Sequence, residues 1–299
     1  MNLLRIGPPL VWVGATIAIV ALNGVPTARD VLLVWLLLGM VAFSASDLRR
    51  RLPRLVVEWA PFIGILLLYD LLRGYADGLL FPAHELPQIK LENALFGDPA
   101  PTVWLQSHLW HPDHLHWWDY LAWFVYLTHF LATLIAAAIL WTFAHERFMR
   151  YATMVCALAV TGFTTYVLFP AVPPWLAAQH GNLGESNRIV PIAWHHIPVG
   201  HFNTLFERGV QYANNVAAIP SLHAAYALLF ALYLWRLVPR WLRPLLAVYP
   251  LAMTWALVYT GEHYLVDCVL GWLYAAVVYV AVERLFARRA VRAAPVLAD

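Results

Sequence analysis

Of the 299 residues, 62% are apolar and only 12% charged, and the mean hydropathy is +0.64, whereas a soluble domain carries about 25% charged and 45–50% apolar residues. A soluble fold could not hide that much apolar surface, so the composition excludes a water-soluble domain and predicts a single membrane domain. The net charge of +2 comes from 19 basic and 17 acidic residues, and the basic ones sit in short clusters rather than along a face, so no nucleic-acid partner is expected.

Near the start, Arg5 precedes an apolar stretch from Pro8 to Leu22. No small-x-small cleavage site follows it, so it is read as a retained first span rather than a signal peptide. A hydrocarbon core of about 30 Å needs about 20 apolar residues per helix. On that ruler the chain is expected to be all-α, a polytopic membrane helix bundle with about eight transmembrane helices, near residues 8–24, 30–46, 55–75, 119–144, 151–170, 218–237, 244–260 and 263–284.

Arginines follow every second span: Arg49, Arg50, Arg51 and Arg54; Arg147 and Arg150; Arg236, Arg240 and Arg243; then Arg284, Arg288, Arg289 and Arg292. The positive-inside rule makes that side cytoplasmic. Both termini are therefore expected inside, and segments 76–118 and 171–217 outside. These outer segments hold Trp104, Trp110, Trp117, Trp118, Trp175 and Trp194, which fit an aromatic belt at the interface. Cys156 and Cys268 fall inside apolar blocks and read as small hydrophobes, not as a disulfide framework.

Polar residues at the end of a span are the candidates for function. One group is Ile219-Pro220-Ser221-Leu222-His223 at the start of the sixth span. Pro220 suits a first helical turn, and the free N–H groups there form an anion-binding end. The other is Gly261-Glu262-His263-Tyr264-Leu265-Val266-Asp267 at the start of the eighth span, with His263 and Asp267 four residues apart and so on one helix face. The 40 residues from His223 to His263 suffice for one span inward and one outward, which returns both imidazoles to the same face. A His oriented by a carboxylate can act as nucleophile, and a second His as general acid and base.

These residues resemble the type 2 phosphatidic acid phosphatase superfamily, whose second motif is Pro-Ser-x-His and whose third ends in His-x-x-x-Asp. Pro173-Pro174-Trp175, Pro220-Ser221-Leu222-His223 and His263-Tyr264 followed by Val266-Asp267 look most like the inositol phosphorylceramide synthase branch. The resemblance covers roughly residues 119–284. It implies a six-helix catalytic core with no metal and no cofactor, in which His263 attacks phosphorus, Asp267 orients it, His223 protonates the leaving group and Ser221 binds a phosphate oxygen. Residues 1–54 would then be two accessory spans, 55–286 the catalytic core and 287–299 a short cytoplasmic tail.

The chain departs from the phosphatase pattern in two places. Ala256 and Leu257 stand where the third motif has Ser-Arg, and the Lys-to-Arg-Pro first motif is replaced by the run Phe169 to Trp175. These departures favour the transferase branch. A phosphoryl transition state still needs positive partners, and the outward candidates are Arg188 and Arg208, followed by Lys90 and Arg73. His129, one turn after Tyr126, is expected to face the bundle interior and to meet the catalytic group or the substrate headgroup; Asp70, Asn214 and Asn215 are similar supporting candidates. His108, His111, Asp113, His114 and His116 lack the spacing of a zinc motif, so no metal site is expected there.

The expected function is lipid phosphotransfer, of a phosphoinositol-type headgroup, from a membrane lipid to an acceptor alcohol lipid or water at the outer face. The alternatives are a lipid phosphate phosphatase acting on a phosphatidic acid or polyprenyl phosphate type substrate, and a non-catalytic scaffold or transporter. A transporter would carry polar residues near the midplane of several spans, and the intact His223, His263 and Asp267 argue against a scaffold.

Overall fold

The segment Leu222–Leu234 is apolar on every side and rich in alanine, and such a helix is stable only when it is enclosed. A computed structural model describes residues 3–23, 29–75, 81–196 and 216–293. In chain order the helices are α1 (Leu3–Asn23), α2 (Arg29–Phe43), α3 (Leu48–Tyr75), α4 (Leu86–Phe96), α5 (Pro101–Leu109), α6 (Trp117–Phe143), α7 (His145–Leu168), α8 (Pro174–Gln179), α9 (Ile189–His196), α10 (Leu222–Leu234), α11 (Arg243–Tyr259) and α12 (Leu265–Ala293). The apolar segment is α10, and α6, α7, α11 and α12 pack around it. Gly271 of α12 makes the closest approach: a Cβ there would lie 2.2 Å from the Ser221 carbonyl oxygen, at the start of α10.

The chain is a multi-pass helical membrane protein, and each of the eight expected spans holds an apolar helix. Among the described residues four helices are long and apolar enough to cross a membrane, within 5–22, 145–168, 240–259 and 265–291. Two bent pairs, α2 with α3 at 62° and the two halves of α6 at 42°, raise the number to six at most. Only a single 3₁₀ turn, Ala45–Asp47, separates α2 from α3, so Arg49, Arg50, Arg51 and Arg54 lie on α3 itself rather than in a connecting loop. At 13 residues, α10 is about 20 Å long, shorter than a hydrocarbon core.

The connections on the other side of the bundle from these arginines are tied to one another. His84, Ala171 and Ala217 form parallel bridges, with the His84 N–H donating to Pro170 at 2.8 Å, Val172 to His84 at 2.9 Å and Ala218 to Ala171 at 3.1 Å. Buried Gln106 of α5 accepts from Asn187 N–H at 2.7 Å and donates to the carbonyls of Asn187 and Tyr259 at 2.9 and 2.8 Å. Asp119, fully buried in the first turn of α6, accepts from the Tyr259 hydroxyl at the end of α11 and from the His116 N–H at 2.7 Å. These contacts fix the segments that carry the polar residues.

Candidate active site

Ser221 is the N-cap of α10. Its Oγ is fully buried and accepts the Ala224 N–H at 3.3 Å, and its own N–H donates to the Asp267 carbonyl at 3.0 Å. Pro220 lies ahead of this cap rather than inside the first turn, and its carbonyl accepts from the Tyr166 hydroxyl at 2.8 Å. His223 follows in the first turn, half-buried, with its ring stacked 5.1 Å from Tyr126 and tilted against that of His129 at 4.1 Å. His129 lies ten residues beyond Asp119 along α6, about 15 Å at 1.5 Å per residue. The imidazoles are therefore recessed below the level at which Asp119 joins α6 to α11.

His263 meets His223 across the start of α10, Nε2 to Nδ1 at 3.3 Å. It precedes α12 instead of lying on its face, and a turn at Gly261 carries it there. Gly261 has φ +76°, and a Cβ would stand 2.6 Å from the Asn187 carbonyl oxygen, so only glycine fits. The His263 Nδ1 is 2.9 Å from the Ala218 carbonyl oxygen and 3.7 Å from Asp267 Oδ2. The hydrogen bond that aims the ring is thus a backbone one, and the fully buried carboxylate stands behind it as an ion-pair partner. Asp267 Oδ2 also accepts the Tyr264 N–H at 3.0 Å.

The Leu265 and Val266 N–H groups donate at 2.9 and 3.0 Å to the two oxygens of Glu92, a fully buried residue of α4. The sequence reading missed Glu92. Its only sequence signal is a carboxylate one position past exposed Lys90 and Leu91 in a helix that lies outside the spans. Burial pushes its carboxyl up to about 7, against the lowering effect of the two backbone hydrogen bonds.

Arg188 stands immediately before α9 and forms a two-point ion pair with Glu262, Nε to Oε1 at 2.9 Å and Nη2 to Oε2 at 3.2 Å. Its guanidinium lies 4.9 Å above the Trp175 ring and its charge acts on the Tyr126 hydroxyl. The structure thus brings together His263, His223, Asp267, Ser221, His129, Tyr126 and Arg188. Lys90 is exposed on α4 and forms no hydrogen bond or ion pair among the described residues. Arg73 and Asp70 lie on α3, where the description stops at the backbone. Arg208, Asn214 and Asn215 lie outside the described residues. His111 and His114 stack and His116 is tilted against both, with His114 Nε2 3.2 Å from His116 Nε2. Among the described residues no group of three or more His, Cys, Asp or Glu is arranged to hold a metal ion.

Two imidazoles in contact, one of them aimed from behind, can form a bond to an electrophile and move a proton; a neighbouring guanidinium can take an oxyanion. In a helical membrane bundle such a set is chemically suited to phosphoryl transfer. A family model described as the PAP2 superfamily matches residues 89–281, and the chain belongs to that superfamily. The match begins at residue 89 rather than 119, so α4 and Glu92 are part of it. The chain is 31% identical over 138 residues to a phosphoinositol dihydroceramide synthase of Bacteroides thetaiotaomicron, covering 43% of this chain and 44% of that one. It is 31% identical over 162 residues to the inositol phosphorylceramide synthase catalytic subunit aur1 of Schizosaccharomyces pombe, covering 52% of this chain and 38% of that one. The chain thus spans less than half the length of these curated relatives. No solved structure matches it significantly.

Proposed function

We propose that the protein is an integral membrane lipid phosphotransferase that moves a phosphoinositol-type headgroup from a glycerolipid to the hydroxyl of a ceramide-type lipid. The observation that carries this reading is the His223–His263 contact backed by Asp267, in a superfamily member whose similar proteins are named for phosphoinositol transfer to ceramides.

In the first step His263 Nε2 forms a bond to phosphorus while the bond from phosphorus to the glycerolipid oxygen breaks, and His223 gives that oxygen its proton. In the second, His223 takes the proton of the acceptor hydroxyl, whose oxygen displaces His263 from phosphorus. The Asp267 carboxylate stabilises the imidazolium that forms on His263. Arg188 takes the place of the arginine missing at Leu257. Glu262 occupies its Nε and Nη2 edge, which leaves the Nη1 edge for a phosphate oxygen. Ser221, as the α10 cap, serves by fixing the N–H groups of the first turn, an end suited to an anion. The arginine clusters at the opposite ends of the spans support an outer-face site with both termini cytoplasmic, in a cell membrane.

The test is transfer of label from phosphatidylinositol in vesicles, with and without dihydroceramide, beside His263→Ala. Label in the ceramide with the wild type alone supports transfer. Water-soluble inositol phosphate as the sole product would instead make the protein a phosphodiester hydrolase, free phosphate from phosphatidic acid would make it a lipid phosphatase, and no reaction with any phospholipid donor would sink all three.

A further inference from the structure

We propose that Glu92 is a positioning residue for headgroup transfer: its carboxylate clasps the first turn of α12 and so holds Asp267 behind His263. The proposal rests on His263 being the attacking group.

An α-helix begins with N–H groups that have no partner within it. At α12 three consecutive ones are taken by two carboxylates, Tyr264 by Asp267 and Leu265 and Val266 by Glu92. Asp267 thus both closes this turn and backs His263, so a shift of the turn moves the carboxylate relative to the imidazole. The clasp comes from a different helix, α4, whose neighbouring Ile89 is buried with Val172, Val216, Tyr264 and Val266. Through those residues it also joins the segment that carries Ala218, whose carbonyl aims His263. Both sides of the His263 ring are therefore set from one place.

The groups that face Glu92 are Asp267, Cys268 and Tyr264 of the α12 start, with Glu85 beyond Tyr264; no basic side chain pairs with it among the described residues. A buried carboxylate without a cation is held by the helix N-terminus alone. Its carboxyl stands at about 7, so the clasp changes state near neutrality. Ionised, both oxygens accept; protonated, one becomes a donor that the N–H groups cannot use.

The experiment measures kcat, KM and their pH dependence for phosphatidylinositol-to-dihydroceramide transfer in vesicles, for wild type and Glu92→Gln, together with thermal unfolding against pH. The expected result is an acid limb near pH 7 in the wild type that Glu92→Gln flattens. Its kcat should be down about tenfold to a hundredfold, as misplacement of a reacting group causes, with KM little changed. Wild-type kcat and an unaltered limb in the variant would overturn the proposal. Thermal unfolding reads the clasp without any substrate. The folded carboxyl at about 7 lies above the ordinary 4.5, so the folded state binds the proton more tightly, and stability falls as pH rises through that window. Glu92→Gln should lack this slope, and an identical slope overturns the clasp even if no lipid reacts, which would be the separate failure of the transfer reading. If Glu92→Gln does not fold, Glu92→Asp, which keeps the ion on a shorter arm, must retain the acid limb at reduced kcat; loss of the limb there counts against the proposal.

Discussion

The Nε2 of His263 lies 3.3 Å from Nδ1 of His223, while its own Nδ1 is 2.9 Å from the carbonyl oxygen of Ala218. A carbonyl only accepts, so Nδ1 of His263 carries the proton and Nε2 keeps the lone pair. His223 Nδ1 then donates to that lone pair. The backbone therefore sets the tautomer needed for attack, and the donor that masks the nucleophile is the one that must later give its proton to the leaving oxygen. A phosphorus atom entering between the rings would use both.

This division of labour separates the two histidines experimentally. His263→Ala should abolish transfer with every donor. His223→Ala should lower kcat with a lipid leaving group by about 10²–10⁴, the usual worth of general acid–base catalysis. With an activated leaving group that departs without a proton, such as nitrophenol, most of that loss should disappear for His223→Ala and none of it for His263→Ala. Rates with paired natural and activated donors check this, and equal losses for both donors in His223→Ala would remove its role as acid.

Arg188 holds Glu262 through one edge of its guanidinium, a geometry an ammonium cannot copy. Arg188→Ala is expected to lower kcat/KM by about a hundredfold or more, comparable to the loss of one transition-state donor, and Arg188→Lys should recover little of it. Glu262→Gln should weaken the same property by misaiming the guanidinium. In the double variant the two losses should therefore fall short of adding. Full additivity in a kcat/KM cycle would mean that Glu262 does not act through Arg188.

Much of this was legible in the sequence for a physical reason: spans and motifs are local. The apolar blocks that hold α7, α11 and α12 announce themselves by length, and Pro220 to His223 and His263 to Asp267 are short runs at span ends. What escaped depends on distance in the chain. Glu92 meets Leu265 across 173 residues and Arg188 meets Glu262 across 74, so one read as nothing and the other as one of four loop cations. The lengths of the helices were less legible. Apolar run length does not register that Ala45–Asp47 is a bend within a continuous helical path, nor that Ser221 caps α10 and leaves it only 13 residues. The aim of His263 was also assigned too simply, because a spacing of four suggests a helix face and the residue in fact precedes the helix.

The site depends on how closely α12 lies against α10. A Cβ at Gly271 would stand 2.2 Å from the Ser221 carbonyl oxygen, a backbone atom that cannot swing away, whereas one at Gly64 in α3 would meet nothing within 4 Å. Gly271→Ala should therefore destabilise by about 1–3 kcal/mol, as overpacking does, and lower kcat because Ser221 and Asp267 share this contact. Gly64→Ala should be neutral or slightly stabilising, since alanine favours helix by about 1 kcal/mol over glycine. Thermal unfolding of the two variants in the same detergent checks the contrast.

Tyr259 and Asp119 offer a prediction in which stability and activity part. Asp119 is fully buried, one oxygen accepting from the Tyr259 hydroxyl and the other from the His116 N–H. Tyr259→Phe keeps the ring stacked on Trp255 but leaves one oxygen of a buried carboxylate without its donor, a loss of about 1–3 kcal/mol. Asp119→Asn with Tyr259→Phe should be milder than Tyr259→Phe alone, because the stranded charge is then gone. Since Asp119 lies ten residues before His129 along α6, about 15 Å, and the pair serves to tie α6 to α11, kcat at a temperature where the variant is folded should stay within about twofold of the wild type, a negligible change in barrier. Unfolding curves and initial rates on the same preparations decide it: a lowered melting temperature with an unchanged rate is expected, while a large fall in kcat without destabilisation would place this pair in the reaction itself.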